Sequence, residues 1–327
     1  MEYFGTLREL LCELTPSLKG PELSNANVNR TVVFRGQPNG MHPLDCGFAR
    51  LRTNREAEYH LLRDFRRYSR LDGRSQFDLP LWDLMSHAQH HGLPTRLLDW
   101  TFSPLVALHF AARNPVKDNV EGAVWIVDVD LAHDRLPWDF KHELDWVKSS
   151  LFSTRMLTNI VRNNAVETST GVSLKRQLLL VQELEEVHNE DSANQRRILL
   201  RQLRSEINGI LHASDKPSPT FRPSSITDAY VVFFEPPSID PRIVNQFALF
   251  SFLSDPTISL DQWLLHRATA SGSEAPPLYK RVAIPASLKP QIRRYLDQCN
   301  ITERTLFPGP DGLAEWLRHR RMSIEVS

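Results

Sequence analysis

Three stretches of this chain are almost uninterrupted apolar and β-branched sequence: Gly122-Ala-Val-Trp-Ile-Val-Asp-Val, Tyr230-Val-Val-Phe-Phe-Glu and Phe247-Ala-Leu-Phe-Ser-Phe. Runs of this kind form strands through a protein core, because a strand with one wet face alternates instead. Thr31-Val32-Val33-Phe34 reads as a further short buried strand, closed by Gly36-Gln37-Pro38-Asn39-Gly40, and Leu278 to Ile284 as another. Between them the apolar period is helical. Leu7, Leu10, Leu11 and Leu14 mark a helix in Tyr3 to Leu18, and Ala57, His60, Leu61, Asp64 and Phe65 mark one in Thr53 to Arg70. Further helices are expected over Leu81 to His91, from Pro104 with Leu105, Leu108, His109 and Ala112 on one face, over Ala286 to Cys299, and over about Asp311 to Arg320. Gly92 stands where a helix ends in a left-handed residue. Ser103-Pro104 joins a capping hydroxyl to a proline at the first helical position. The pattern predicts an α+β fold, a mixed and partly antiparallel sheet flanked by helices.

Between the strands at 122 and 230 lies a long segment with two leucine-rich stripes, Leu174-Leu178-Val181-Leu184 and Leu199-Leu203-Ile207-Ile210, separated by Asn189-Glu190-Asp191-Ser192. It reads as an αα-hairpin inserted into the sheet domain, with Lys216-Pro217-Ser218-Pro219 as exit linker. The expected organisation is therefore residues 1–30 as N-terminal helix and loop, 31–138 as core, 139–220 as helical insertion and 221–327 as the C-terminal part of the same domain. The insertion is the expected contact surface for a macromolecular partner.

Composition removes several classes. Of 327 residues, 41% are hydrophobic, too many for a disordered chain. Lys and Arg number 39 against 39 Asp and Glu, so a partner held mainly by charge, nucleic acid above all, is not expected. The basic pairs Lys175-Arg176 and Arg196-Arg197 alternate with Glu, as on a solvated helix face. No apolar run reaches the roughly 18 residues of a membrane span. The opening MEYFGTLRELLCEL carries early acidic residues and no apolar signal core, which predicts a cytoplasmic location. Cys12, Cys46 and Cys299 are far apart and in no paired motif, so they predict neither a disulfide framework nor a metal site.

The densest polar and aromatic cluster is Gln89-His90-His91-Gly92-Leu93-Pro94-Thr95-Arg96-Leu97-Leu98-Asp99-Trp100-Thr101-Phe102-Ser103-Pro104. Loops this rich hold sites more often than packing alone requires. His87 and His91 have the i, i+4 spacing of a zinc pair, but no third ligand follows at a familiar distance. Arg35 ends an apolar strand and can clamp a phosphate or carboxylate, or form an ion pair with Asp99. Asp99 can also cap a turn or pair with Arg96. His90 or His91 with Asp99 could form a hydrolytic pair. Ser103 suits an N-cap, and no GxSxG elbow supports it as a nucleophile.

Phe34-Arg35-Gly36 within VVFRGQ, together with QHHGLPTRLLDWTFSPLVALHFA, resembles the FRG domain. EPPSIDPRIVNQFALFSF and NITERTLFPGPDGLAEWL are similar to segments of FRG-domain proteins, so the resemblance covers roughly residues 30 to 320 without the insertion. A second similarity is to the ADP-ribosyltransferases: Arg-Gly on a first strand, a Ser/Thr motif opening a helix of the type SxxxAxxFA (Ser103, Ala107, Phe110), and a polar residue on a late strand. That resemblance implies NAD as substrate, with Arg35 on its phosphate or ribose, Thr101 and Ser103 shaping the pocket and Gln246 at the catalytic position. The polar motif and the Arg35 strand add Gly36, Gln37, Gln89, His91, Thr95, Arg96 and Trp100 as expected ligand contacts, and His90 and Asp99 as further catalytic candidates. Gln246 departs from the pattern, since a Glu belongs there. An amide still binds ribose but cannot offset developing positive charge as a carboxylate does. An ADP-ribosyltransferase, a non-catalytic nucleotide-binding or protein-binding module and a hydrolase of other chemistry are the three functions the sequence leaves open.

Overall fold

A computed structural model describes residues 6–14, 30–53, 56–68, 79–113, 119–160, 225–237, 240–270 and 277–325. Seven strands, β1 (Val32–Gln37), β2 (Leu97–Thr101), β3 (Gly122–Asp128), β4 (Phe152–Ser153), β5 (Val231–Glu235), β6 (Ala248–Leu253) and β7 (Tyr279–Ile284), form one sheet in the order β4-β5-β6-β2-β1-β3-β7. Neighbours are antiparallel except β4 and β5, so the sheet is mixed, as the sequence predicts. Among the described residues the main helices are α1 (Leu7–Leu14), α2 (Glu56–Tyr68), α3 (Leu81–His90), α4 (Pro104–Ala112), α5 (Val129–Ala132), α6 (Trp138–Val147), α7 (Pro241–Asn245), α8 (Leu260–Ala270), α9 (Lys289–Gln298), α10 (Glu303–Leu306) and α11 (Pro310–Glu325).

One face of the sheet carries a continuous core in which Val33, Leu98, Trp100, Trp125, Phe233 and Leu249 meet Trp263 and Leu264 of α8. Two polar pairs inside it are satisfied across strands. Trp100 Nε1 donates to Ser251 Oγ at 2.8 Å, and Trp125 Nε1 donates to Gln37 Oε1 at 2.7 Å. The other face is divided. Leu97, Val232, Phe234, Phe250 and Phe252 pack against α3 and α6, whereas Phe34, Val124, Val282 and Ile284 pack against α1, α4 and α9. The division falls at the seam between β2 and β1. There the two strands share one register pair, Phe34 with Thr101, while β1 pairs with β3 along its whole length.

The structure corrects the sequence reading in three places. The strand expected to end at Arg35 and be closed from Gly36 runs on through Gly36 and Gln37. The segment read as a polar loop contains a strand, β2, whose inward residues Leu97, Leu98 and Trp100 were masked by the polar residues between and around them. Residues 139–160, expected in the insertion, belong to the body: Phe140, Leu144, Phe152, Met156, Leu157 and Ile160 fill its second core, and β4 pairs with β5. The two leucine stripes at 174–210 and the linker at 216–219 lie outside the described residues, as does the loop expected at 25–29.

Gly36 explains how α4 reaches the sheet. A Cβ on Gly36 would lie 1.8 Å from the Ala107 carbonyl oxygen, and one on Gly122 would lie 2.8 Å from that of Ala111. The helix therefore rests on two strands through glycines below and alanines above. Gly36→Ala should lower the unfolding free energy by about 3 kcal/mol, because backbone rather than a flexible side chain must move. Gly92, at φ +84° with open space around it, should cost about 1 kcal/mol on the same change. Denaturant titration of both variants checks the contrast.

A buried histidine fastens β5. His133 Nδ1 lies 3.1 Å from the Ser150 carbonyl, which only a protonated nitrogen can contact favourably, while Nε2 accepts from the Phe233 amide at 2.9 Å. The ring is thus fixed neutral, and burial pushes its pKa down to about 4. The unfolded chain takes up this proton near pH 6.5 and the folded chain only near 4. Stability is therefore full above 6.5 and falls as pH drops towards 4, by about 3 kcal/mol from this group. His133→Gln should be less stable at pH 7 and lose less between pH 6.5 and 4, as read by urea titration at each pH.

Candidate functional site

A cleft of about 580 Å³ opens where β1 and β2 part. Arg35 stands in the gap. Its Nη1 donates to the Asp99 backbone carbonyl and lies 3.7 Å from Asp99 Oδ2, while its Nε is buried with no hydrogen-bond partner. Burial lowers the Arg35 pKa; Asp99 opposes the shift and Arg50 adds to it. The guanidinium nevertheless stays charged, so the site holds a partly desolvated cation whose close counter-charge among the described residues is Asp99.

The polar motif aims that cation through a relay. Thr95 Oγ1 donates to Gln89 Oε1 and accepts from the Leu97 amide at 3.1 Å. Gln89 Nε2 donates to Asp99 Oδ1 at 3.2 Å and to the Leu97 carbonyl at 3.3 Å. Asp99, oriented by Gln89, meets Arg35. Gly92, at φ +84°, turns the chain from α3 back into this motif.

Of the residues singled out from sequence, Arg35, Gly36, Gln89, His90, Asp99, Trp100, Thr101 and Gln246 line the cleft. Arg35 and the 89–101 segment are thus brought together as expected. Trp100 contributes there only marginally, since 2% of it is exposed and its indole belongs to the core. Gly36 serves the α4 contact. Thr101 Oγ1 donates to the Gln246 carbonyl at 2.6 Å and accepts from the Ser103 amide at 3.0 Å, so it joins β2 to the chain entering β6.

Other residues do different work. Arg96 faces away and grips Glu58 of α2 through Nε at 2.8 Å and 3.0 Å and through Nη2. Burial opposes its charge, and Glu58 more than offsets that and raises its pKa. Asp99 therefore pairs with Arg35 and not with Arg96. Gln37 is buried, accepting from Trp125 and donating to the His42 and Pro43 carbonyls at 3.3 Å. Ser103 caps α4, its Oγ accepting from the Val106 amide at 3.3 Å. His91 ends α3 with its ring 4.5 Å from that of His87, whose pKa is lowered by burial and then by His91 and His90. Among the described residues no cluster of three or more His, Cys, Asp or Glu could hold a metal ion, and no helix is long and apolar enough to cross a membrane.

Two expected catalytic arrangements change. His90 does not face Asp99; its Nδ1 lies 3.1 Å from Asp240 Oδ2, an aspartate that also caps α7. Gln246 is not on a strand but follows α7, and its Nε2 donates to the Leu306 carbonyl at 2.9 Å. It lines the cleft with one amide donor committed to the last residue of α10.

The rim also contains residues to which the sequence reading gave no role: Arg50, Phe110, Arg113, Arg242 and Phe307. Arg113 lies 4.4 Å over the Phe307 ring and 2.6 Å from Glu315, and Phe110 meets Phe307 edge-on with centroids 6.0 Å apart. A signal was present, since Phe110 lies in the SxxxAxxFA helix and Phe307 in the NITERTLFPGPDG segment.

The family model of the FRG domain matches residues 30–120, from the start of β1 past the end of α4. That span holds Arg35, the Thr95–Gln89–Asp99 relay, His90, Phe110 and Arg113, while Arg242, Gln246 and Phe307 lie beyond it. No curated protein and no solved structure matches the chain. The segment that forms most of the cleft, residues 30–120, is an FRG domain.

Proposed function

We propose that the cleft binds a phosphate-bearing nucleotide of the NAD type, and that it binds this ligand without cleaving it. The observation that carries the reading is Arg35: a partly buried guanidinium whose Nε is buried without a partner among the described residues, held by one carboxylate, in a cleft whose other charged lining residues are Arg50, Arg113 and Arg242, with His90 also in the lining. Pyrophosphate offers the acceptor oxygen that Arg35 Nε lacks, and charge-assisted bonds of that kind are the strong ones. Binding relieves the burial cost on Arg35 as well. The volume of about 580 Å³ falls within the range of small-molecule sites.

Turnover is a separate matter. Cleaving the glycosidic bond of NAD develops positive charge at the anomeric carbon, and a preorganised carboxylate lowers that barrier. Gln246 carries no charge, and one of its amide hydrogens is bonded to the Leu306 carbonyl. The ADP-ribosyltransferase resemblance therefore supports ligand binding better than transfer. One observation favours the transfer reading: His90, oriented by Asp240, lines the cleft and could accept a proton from an acceptor hydroxyl.

Calorimetric titration with NAD, combined with an assay of nicotinamide release, tests both readings. The parent protein should bind NAD and release no nicotinamide above background. Arg35→Ala should weaken binding by about tenfold to a hundredfold, the range of a charged hydrogen bond, with Arg35→Lys intermediate. Unchanged affinity in Arg35→Ala would refute the binding assignment. Nicotinamide release that is lost in His90→Ala would establish cleavage instead, and ADP-ribose recovered on an acceptor and not free in solution would make that cleavage transfer.

A further inference from the structure

The cleft has an aromatic end as well as a cationic one. Phe110 and Phe307 are both half-buried, both line the cleft and meet edge-on, with interplanar angle 88°. Arg113 stacks on Phe307 and is itself held by Glu315 of α11. This platform is built in place. Phe110 belongs to the turn of α4 between Ala107 and Ala111, the two residues whose backbone presses on Gly36, so the turn that carries it is anchored on the residue next to Arg35. Phe307 ends α10, where its carbonyl would lie 1.9 Å from a Cβ on Gly312, so α11 packs against it as closely as α4 packs on β1.

From this juxtaposition we infer that the aromatic end is a nucleobase subsite: the ligand's phosphates lie toward Arg35 and Arg50, and its base docks on the Phe110–Phe307–Arg113 platform. Partly exposed rings with a guanidinium stacked on one of them suit a planar heteroaromatic group, and the rings themselves add nothing for a bare anion. Phe110 and Arg113 lie within residues 30–120 and Phe307 beyond them, so the base subsite is shared between the FRG segment and the chain that ends α10, whereas Arg35 and Arg50 of the phosphate end belong to the FRG segment alone. The inference rests on the phosphate-binding reading above and adds the part of the ligand that discriminates nucleotides from simple phosphates.

Calorimetric titration of the full chain with ADP and with inorganic pyrophosphate separates the two. The parent should bind ADP about tenfold or more tighter than pyrophosphate, the range of one base stacked on an aromatic side chain. Phe307→Leu, which keeps an apolar side chain but removes the ring, should close most of that gap and leave pyrophosphate affinity within about twofold, and Phe110→Leu should act in the same direction. Arg35→Ala should weaken both ligands. If Phe307→Leu weakens pyrophosphate as much as ADP, or leaves both unchanged, the base subsite is refuted while the phosphate site stands. If the parent binds neither ligand, the phosphate reading fails and this inference fails with it. Equal melting temperatures for parent and variants ensure that loss of fold does not produce the result.

Discussion

The guanidinium of Arg35 lodged between β1 and β2 is the contact on which the rest of the site depends. Two strands that share a single register pair leave backbone groups without ladder partners, and a buried carbonyl without a donor is costly. Arg35 supplies that donor to Asp99 and in doing so holds the seam open. The opening is also where the opposite face of the sheet divides into two cores, so the cleft is a consequence of how the sheet is packed and not a surface depression.

Three consecutive residues carry three separate demands. Phe34 fills the core beneath α4, Arg35 occupies the seam, and Gly36 admits the backbone of α4. The requirement on Gly36 is steric, since a methyl group there has nowhere to go. The distant motif is as economical. Thr95, Gln89 and Asp99 form a chain of hydrogen bonds that ends on Arg35, and Thr101 and Ser103 fix the next turn and the start of α4. Residues that look like an active-site loop are in large part the bracket that aims one cation.

The apolar runs and the helical periods were legible in the sequence because burial there is continuous, and β3, β5, β6 and α4 fall close to where they are expected. β2 was not legible: Leu97, Leu98 and Trp100 are buried in two different cores, and the exposed Asp99 and the flanking polar residues break the run. The meeting of Arg35 with Asp99 was legible as one of two ion pairs, and the structure selects it because Arg96 is taken by Glu58. The partners Glu58 and Asp240 lie 38 and 150 positions from the residues they hold, a separation at which spacing gives no information. Gln246 resembled a strand residue because it precedes an apolar run, but Asp240 caps a short helix there and places it on a turn.

The central claim is that Arg35 is the anion receptor of the cleft. The most direct measurement is the side-chain Nε–H resonance of Arg35, assigned by its loss in Arg35→Lys and followed by nuclear magnetic resonance during titration with inorganic pyrophosphate. An incoming anion should give the orphaned Nε a partner, so this resonance should shift in a saturable way and exchange more slowly with water. A saturating titration that moves other resonances while leaving the Arg35 Nε–H unmoved would contradict the account.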